Sequence, residues 1–292
     1  MFKGVGTALI TPFKDNGEVD YDLFEKLLEY QLENDVDALV VLGTTGESPT
    51  VHLEERKKLT KIAVAKADGK VPVIVGTGTN DTVKVIEMNK LAEEQGADGA
   101  LIVTPYYNKT SQAGLVDHFT HIARQTELPI IAYNVPSRTG VNIEPDTFKK
   151  MAEMEDNIVA IKEASGDMSQ ILNVIEIAGN EKTILSGNDD QALPLMMCGG
   201  SGVISVISNL MPGVMKEITS HILAEEYQAA KDLHYKYLKL MRLIFIDVNP
   251  IPIKFAMQQI GFSNNNLRRP LVKLSQEHQE LILAEMKEFD IV

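Results

Sequence analysis

Short apolar runs rich in Val and Ile alternate along this chain with longer stretches whose apolar residues recur every third or fourth position, and Gly- or Pro-marked turns separate the two. A brief β-branched run reads as a strand buried on both faces, whereas the wider spacing places apolar side chains on one stripe of a helix. The strand segments are Gly4 to Leu9, Ala38 to Leu42, Val71 to Val75, Ala100 to Val103, Pro129 to Tyr133, Ile158 to Ile161, Thr183 to Leu185 and Gly202 to Ser205. Leu23, Phe24, Leu27, Leu28 and Leu32 trace one of the intervening helical stripes. Helix starts are marked by Asp167, three residues before Gln170, and by Pro145 at a first helical position.

Eight strand–helix units predict an α/β fold, a (β/α)8 TIM barrel, in preference to an open doubly wound sheet, because such barrels take about 250 residues. The barrel is expected over residues 1–224, with residues 225–292 as a small all-helical extension. In that extension the pattern stays helical through Tyr227 to Ile246, Pro252 to Ile260 and Gln276 to Phe289. Asn249-Pro250-Ile251-Pro252 marks a turn, since proline has no N–H for a helical bond.

Composition narrows the partners. Lys and Arg number 28 against 41 Asp and Glu, a formal net charge of −13, so nucleic acid is not expected to bind. The Arg56-Lys57-Lys58 triplet is expected to form a solvated helix face. No apolar run reaches the roughly 20 residues of a membrane helix, and Met1 to Thr11 lacks a basic-then-apolar leader, which points to a cytoplasmic protein. The single cysteine, Cys198, excludes an intramolecular disulfide and is expected to pack in the core. His52, His118, His121, His221, His234 and His278 fall in no ligand-like spacing, and no metal or cofactor is expected.

In a barrel the chemistry sits at the carboxyl ends of the strands. There the chain places Gly43-Thr44-Thr45-Gly46-Glu47-Ser48, Gly76-Thr77-Gly78-Thr79-Asn80, Thr104-Pro105-Tyr106-Tyr107-Asn108, Tyr133-Asn134-Val135-Pro136-Ser137-Arg138, Lys162-Glu163-Ala164 and Ser186-Gly187-Asn188-Asp189. Lys162 ends an otherwise apolar strand. Burial would favour its neutral amine, a nucleophile able to form a Schiff base with a carbonyl. The alternatives are a pair with Glu163 or another carboxylate, and a lysine that reaches out to the rim. Tyr133 and Tyr107, with the Thr44 hydroxyl between them, could relay protons, although aromatic side chains also serve simply as packing. Gly43-Thr44-Thr45-Gly46 could hold a small carboxylate, and Arg138 could grip another with two hydrogen bonds. Gly199-Gly200-Ser201-Gly202 precedes its strand and reads as a turn, not a phosphate cradle.

These motifs together resemble the 4-hydroxy-tetrahydrodipicolinate (dihydrodipicolinate) synthase family of pyruvate-dependent lyases. The likeness rests on Gly43-Thr44-Thr45-Gly46-Glu47-Ser48, the Tyr133 to Gly140 segment, Ile161-Lys162-Glu163-Ala164 and Asn249-Pro250-Ile251-Pro252-Ile253-Lys254. It implies a lyase that condenses pyruvate with L-aspartate 4-semialdehyde in the diaminopimelate route to lysine. Lys162 would carry the pyruvate Schiff base and Tyr133 would move protons. Thr44 and Tyr107 would complete the relay, with Tyr107 reaching in from a neighbouring subunit. Thr45, Gly187 and the backbone at Ile204 would bind pyruvate, and Arg138 the semialdehyde carboxylate. The resemblance further implies a homo-oligomer, a tetramer of two tight dimers or a dimer.

The chief rival is a sugar-acid aldolase of the N-acetylneuraminate lyase type, whose tyrosine loop does not continue as Ser137-Arg138-Thr139-Gly140 does here. A phosphate- or flavin-binding barrel and a non-catalytic metabolite-binding barrel are the readings from other classes. Lysine-inhibited members of the family resemble one another in two histidines and a glutamate. Those places hold Leu53, Arg56 and Lys84 here, which implies weak or absent lysine feedback.

Overall fold

The computed structural model describes residues 2–178 and 181–292. Its strands are β1 (Gly4–Ala8), β2 (Ala38–Val41), β3 (Val73–Gly76), β4 (Gly99–Val103), β5 (Ile130–Asn134), β6 (Ile158–Glu163), β7 (Thr183–Ser186) and β8 (Gly202–Ser205). They form a closed parallel barrel in chain order, with β8 returning to β1 so that Val203 lies beside Val5 and Ile204 beside Gly6. The expected strands are all present, with small shifts at their ends. β3 begins at Val73, not Val71, because the intervening Pro72 has no N–H for the ladder. β6 runs on to Glu163, which carries Lys162 into the sheet.

Alternation along the strands sorts the apolar residues into two layers. Ala38, Val40, Ile74, Leu101, Ile131, Ala160, Leu185 and Ile204 belong to the cluster inside the barrel. Their neighbours Leu39, Val41, Val73, Ile102, Ile130, Ile161 and Val203 pack outward against the helices.

The helices begin where the sequence supplies caps. Asp20, Asp81, Ser111 and Ser275 accept first-turn amides at the heads of Tyr21–Glu33, Thr82–Glu94, Gln112–Ala123 and Gln276–Glu288. Asp167 accepts from Ser169 N at 2.8 Å, and Pro145 opens the Pro145–Met154 helix, both as expected. After Pro212–Leu223 the chain continues as Tyr227–Leu243, Ile251–Gln259 and Gln276–Glu288. The Ile251–Gln259 helix is buried along seven consecutive residues, Ile251 to Met257. Among the described residues no helix is long and apolar enough to cross a membrane.

Two expectations are corrected. Cys198 is exposed at the end of the Ala192–Met197 helix, beyond the last inward-facing residue of that turn, Met196. Arg56 is not on a solvated face: it is only 8% exposed. Its guanidinium donates to Ser48 O and Oγ and to Gly76 O, tying the loops after β2 and β3 together.

Candidate active site

A register shift places the two central side chains side by side. Between Ile130 and Ile131 the pairing of β5 with β6 jumps from Ile158 to Ala160, so Tyr133 lies opposite Lys162. Without that bulge Tyr133 would face Ile161, whose side chain points outward. With it, Tyr133 and Lys162 share the inner face with Ile131, Ala160 and Ala164.

Lys162 is 5% exposed, with Nζ lying 4.4 Å from the centre of the Tyr133 ring. Among the described residues it has no ion-pair partner. Glu163 is engaged elsewhere: its carboxylate accepts from Asn134 Nδ2 at 2.9 Å and from Ser165 N at 2.7 Å. Burial pulls the Lys162 amine down to about 7, the charge of Asp189 opposes the shift, and Arg138 adds to it. A large fraction of the amine is therefore neutral near pH 7, where an ordinary lysine is almost wholly protonated. Tyr133 is pushed up by burial, against the pull of Arg138 and of the Thr44 hydroxyl. It is held as a neutral phenol, able to donate and accept a proton.

Asp189 was not singled out from the sequence. Its Oδ2 accepts from Val206 N at 3.1 Å and Ile207 N at 2.9 Å, while Oδ1 is buried without a partner. Burial raises its pKa, and Ser205, the two amides and Lys162 work in the other direction. Gly187 is required by space, since a Cβ there would lie 2.5 Å from Ala164 Cβ and 3.0 Å from Lys162 Cε.

Two non-glycine residues stand at positive φ here, Leu42 at 59° just before the Gly43–Ser48 loop and Glu47 at 54° within it. Such conformations persist only where surrounding contacts enforce them. Thr11 Oγ1 donates to Gly46 O at 2.8 Å, Lys254 Nζ to Glu47 Oε1 at 2.5 Å, and Arg268 N to Glu47 Oε2 at 3.0 Å. Lys254 is fully buried over the Phe13 ring. Glu47 and Lys254 escaped the sequence reading of the site. A lysine inside the all-apolar stretch Ile251 to Met257 was the available signal for one of them.

A cavity of about 150 Å³ gathers Thr44, Thr45, Tyr133, Arg138, Lys162 and Gly187 at the barrel mouth, with Asn249 from the turn before the Ile251–Gln259 helix. It shares Thr44, Tyr133 and Arg138 with an outer cavity of about 620 Å³ that extends past Leu53, Arg56, Lys84 and Tyr106. Two expected residues lie apart. Ile204 is fully buried in the barrel interior and does not line the cavity. Tyr107 is 93% exposed, at φ 69°, and lines neither cavity of its own chain. Among the described residues no group of three or more His, Cys, Asp or Glu is arranged to hold a metal ion.

The family model described as the Dihydrodipicolinate synthetase family matches residues 1–289. The chain is 47% identical over 292 residues to a 4-hydroxy-tetrahydrodipicolinate synthase of Alkaliphilus oremlandii, with 100% of both chains covered. It superposes on the crystal structure of dihydrodipicolinate synthase from Thermotoga maritima with a TM-score of 0.98 and 46% identity, covering 100% of each chain. Against the chloride-inhibited enzyme of Acinetobacter baumannii complexed with pyruvate the TM-score is 0.97, at 39% identity and with 100% of each chain covered.

Proposed function

The chain belongs to the dihydrodipicolinate synthetase family, and from that premise we propose that its barrel mouth joins pyruvate to L-aspartate 4-semialdehyde through a Schiff base on Lys162. Its activity is that of a 4-hydroxy-tetrahydrodipicolinate synthase, a lyase of the diaminopimelate route to lysine. The family and its relatives favour this reading over the sugar-acid aldolase.

The observation that carries the mechanism is the buried, unpaired amine of Lys162 beside the Tyr133 ring. The neutral amine adds to C2 of pyruvate, and loss of water from the carbinolamine gives the imine. Removal of a C3 proton gives the enamine, whose C3 attacks the semialdehyde carbonyl. The semialdehyde's own amine then adds at C2 and displaces Lys162 as the ring closes, which frees the enzyme amine. Tyr133 moves the protons, with Thr44 next to it and Tyr107 supplied by a second copy of the chain. Thr45 and Gly187, which line the inner cavity, bind the keto acid, and Arg138 receives the semialdehyde carboxylate. The exposure of Tyr107 supports a relay completed in at least a dimer, and we favour a tetramer of two such dimers. The division into a catalytic barrel over residues 1–224 and a helical extension over 225–292 belongs to the same reading, as does a cytoplasmic location.

Leu53, Arg56 and Lys84 on the outer cavity make it a poor site for a cationic amino acid, so lysine feedback is weak or absent. Loss of most activity at submillimolar lysine in a steady-state assay would overturn that point. The reaction class is tested by reducing the protein with borohydride in the presence of pyruvate and mapping the adduct. One pyruvate on Lys162 is expected, whereas an adduct on another lysine, or none, would overturn the mechanism.

A further inference from the structure

Asn249 has no role in the chemistry described so far, yet it joins its two ends. It sits in the turn before the Ile251–Gln259 helix, is 6% exposed and lines the Lys162 cavity. Its Nδ2 donates to Thr45 Oγ1 at 3.0 Å, and its main-chain oxygen accepts from Arg138 Nη2 at 3.2 Å. Thr45 follows β2 and Arg138 follows β5, so one residue of the extension touches both loops. Its Oδ1 is buried and unpartnered, an acceptor left open within the site.

We propose that Asn249 is a positioning residue that turns the Thr45 hydroxyl toward the keto-acid carboxylate while its main chain holds Arg138 ready for the carboxylate of the second substrate. This rests on the condensation proposed above. A hydroxyl has one hydrogen to give. Because the amide nitrogen of Asn249 can only donate, it occupies a lone pair of Thr45 Oγ1 and leaves the hydroxyl hydrogen free for an anion. A guanidinium with one N–H already bound to a carbonyl keeps its remaining donors in a fixed plane, so less freedom is lost when a carboxylate binds. The keto acid thus meets a hydroxyl already set as a donor.

The test uses the full chain with Asn249→Ala, Asn249→Asp, Thr45→Val and the Thr45→Val/Asn249→Ala pair. The readouts are the pyruvate concentration for half-maximal borohydride trapping and KM and kcat for each substrate, with melting temperatures as a check on folding. Asn249→Ala is expected to raise the pyruvate half-saturation roughly tenfold, the worth of one hydrogen bond to a charged group. The KM for the semialdehyde should move about twofold or less, because the main-chain carbonyl to Arg138 is retained. Added to Thr45→Val, the Asn249→Ala change should raise the pyruvate half-saturation no further.

Asn249→Asp keeps the side-chain shape, so it carries the test should the alanine variant fail to fold. Its carboxylate accepts where the amide donated, which turns the Thr45 hydrogen away from pyruvate, and it should weaken pyruvate binding at least as much. Folded variants with unchanged pyruvate half-saturation, equal rises for both substrates, or additive penalties in the pair would overturn the inference alone. An unmodified chain that traps no pyruvate on Lys162 overturns the proposed function and takes this inference with it.

Discussion

Two lysines lie buried at the same end of the molecule, one at the barrel mouth and one where the C-terminal helices meet the loop after β2. Lys162 is 5% exposed over the Tyr133 ring, and Lys254 is 0% exposed over the Phe13 ring. Burial pulls the first down to about 7 and the second to about 8. The difference is the partner. Lys254 has the Glu47 carboxylate 2.5 Å away, and that charge restrains its shift. The charge acting against the shift of Lys162 is Asp189, a residue with which it makes no ion pair. Burial alone therefore does not decide what a lysine can do: paired with Glu47, Lys254 is a tie, whereas unpaired Lys162 gives up its proton more readily.

The sharpest way to break this comparison is to make one substitution at both sites. Lys162→Met is expected to lower kcat/KM on the order of a thousandfold or more, as removal of a nucleophile does. Lys254→Met leaves Glu47 buried and uncompensated, which should cost about 3–5 kcal/mol of stability, measured by denaturant unfolding. The Lys254→Met/Glu47→Gln pair should lose less than the sum of its single changes. Equal stability losses at the two sites would mean that the pairing is not what separates them.

The pH dependence sharpens the contrast on a smaller scale. Trapping of pyruvate needs the neutral amine, so its rate at limiting pyruvate should fall about tenfold per pH unit below about 7 and level off above it. A stopped-flow or quenched-reduction profile flat from pH 5 to 8 would contradict an amine lowered by burial. The smallest effect has the opposite sign to the loss at Lys254. Between about 7 and the ordinary 10.5 the unfolded chain holds a proton on Lys162 that the folded chain lacks. Stability from this group therefore rises with pH across that window, and its penalty is greatest below about 7. Lys162→Met should accordingly stabilise the fold by about 0.5–2 kcal/mol near neutral pH, with the gain fading toward pH 10.

The barrel was legible because both strand faces are buried and the helices between them carry one apolar stripe, patterns that a single sequence displays. Lys162 was legible for the same reason, as a charge at the end of an apolar strand. Tyr133 was legible as a tyrosine at a strand end, but its place opposite Lys162 was not, since the bulge at Ile130 depends on how two strands pair. Arg56 was misread because a run of three basic residues was taken as one solvated face, although three adjacent positions on a helix fan out over roughly 200°. It was in phase with the buried Leu59, Thr60, Ala63 and Ala67, and that phase was the missed signal. Asn249 and Glu47 stand in motifs the sequence displays, but the contacts they make could not be read from them. Their partners are 204 and 207 residues away, and neither spacing leaves a mark on local sequence.

Those separations also set a timetable. Glu47 leaves the ribosome some 200 residues before Lys254 and Arg268, with which it makes contact. At synthesis rates of about 5–20 residues per second, the loop after β2 waits roughly 10–40 s for the side chains that fix it. β8, the last strand of the barrel, ends at Ser205, before any of them has been made. A nascent chain can thus close its barrel while the Gly43–Ser48 loop still lacks the Lys254 and Arg268 contacts to Glu47. The loop that carries Thr44 and Thr45 is therefore tied down late, by side chains that follow the barrel in the chain.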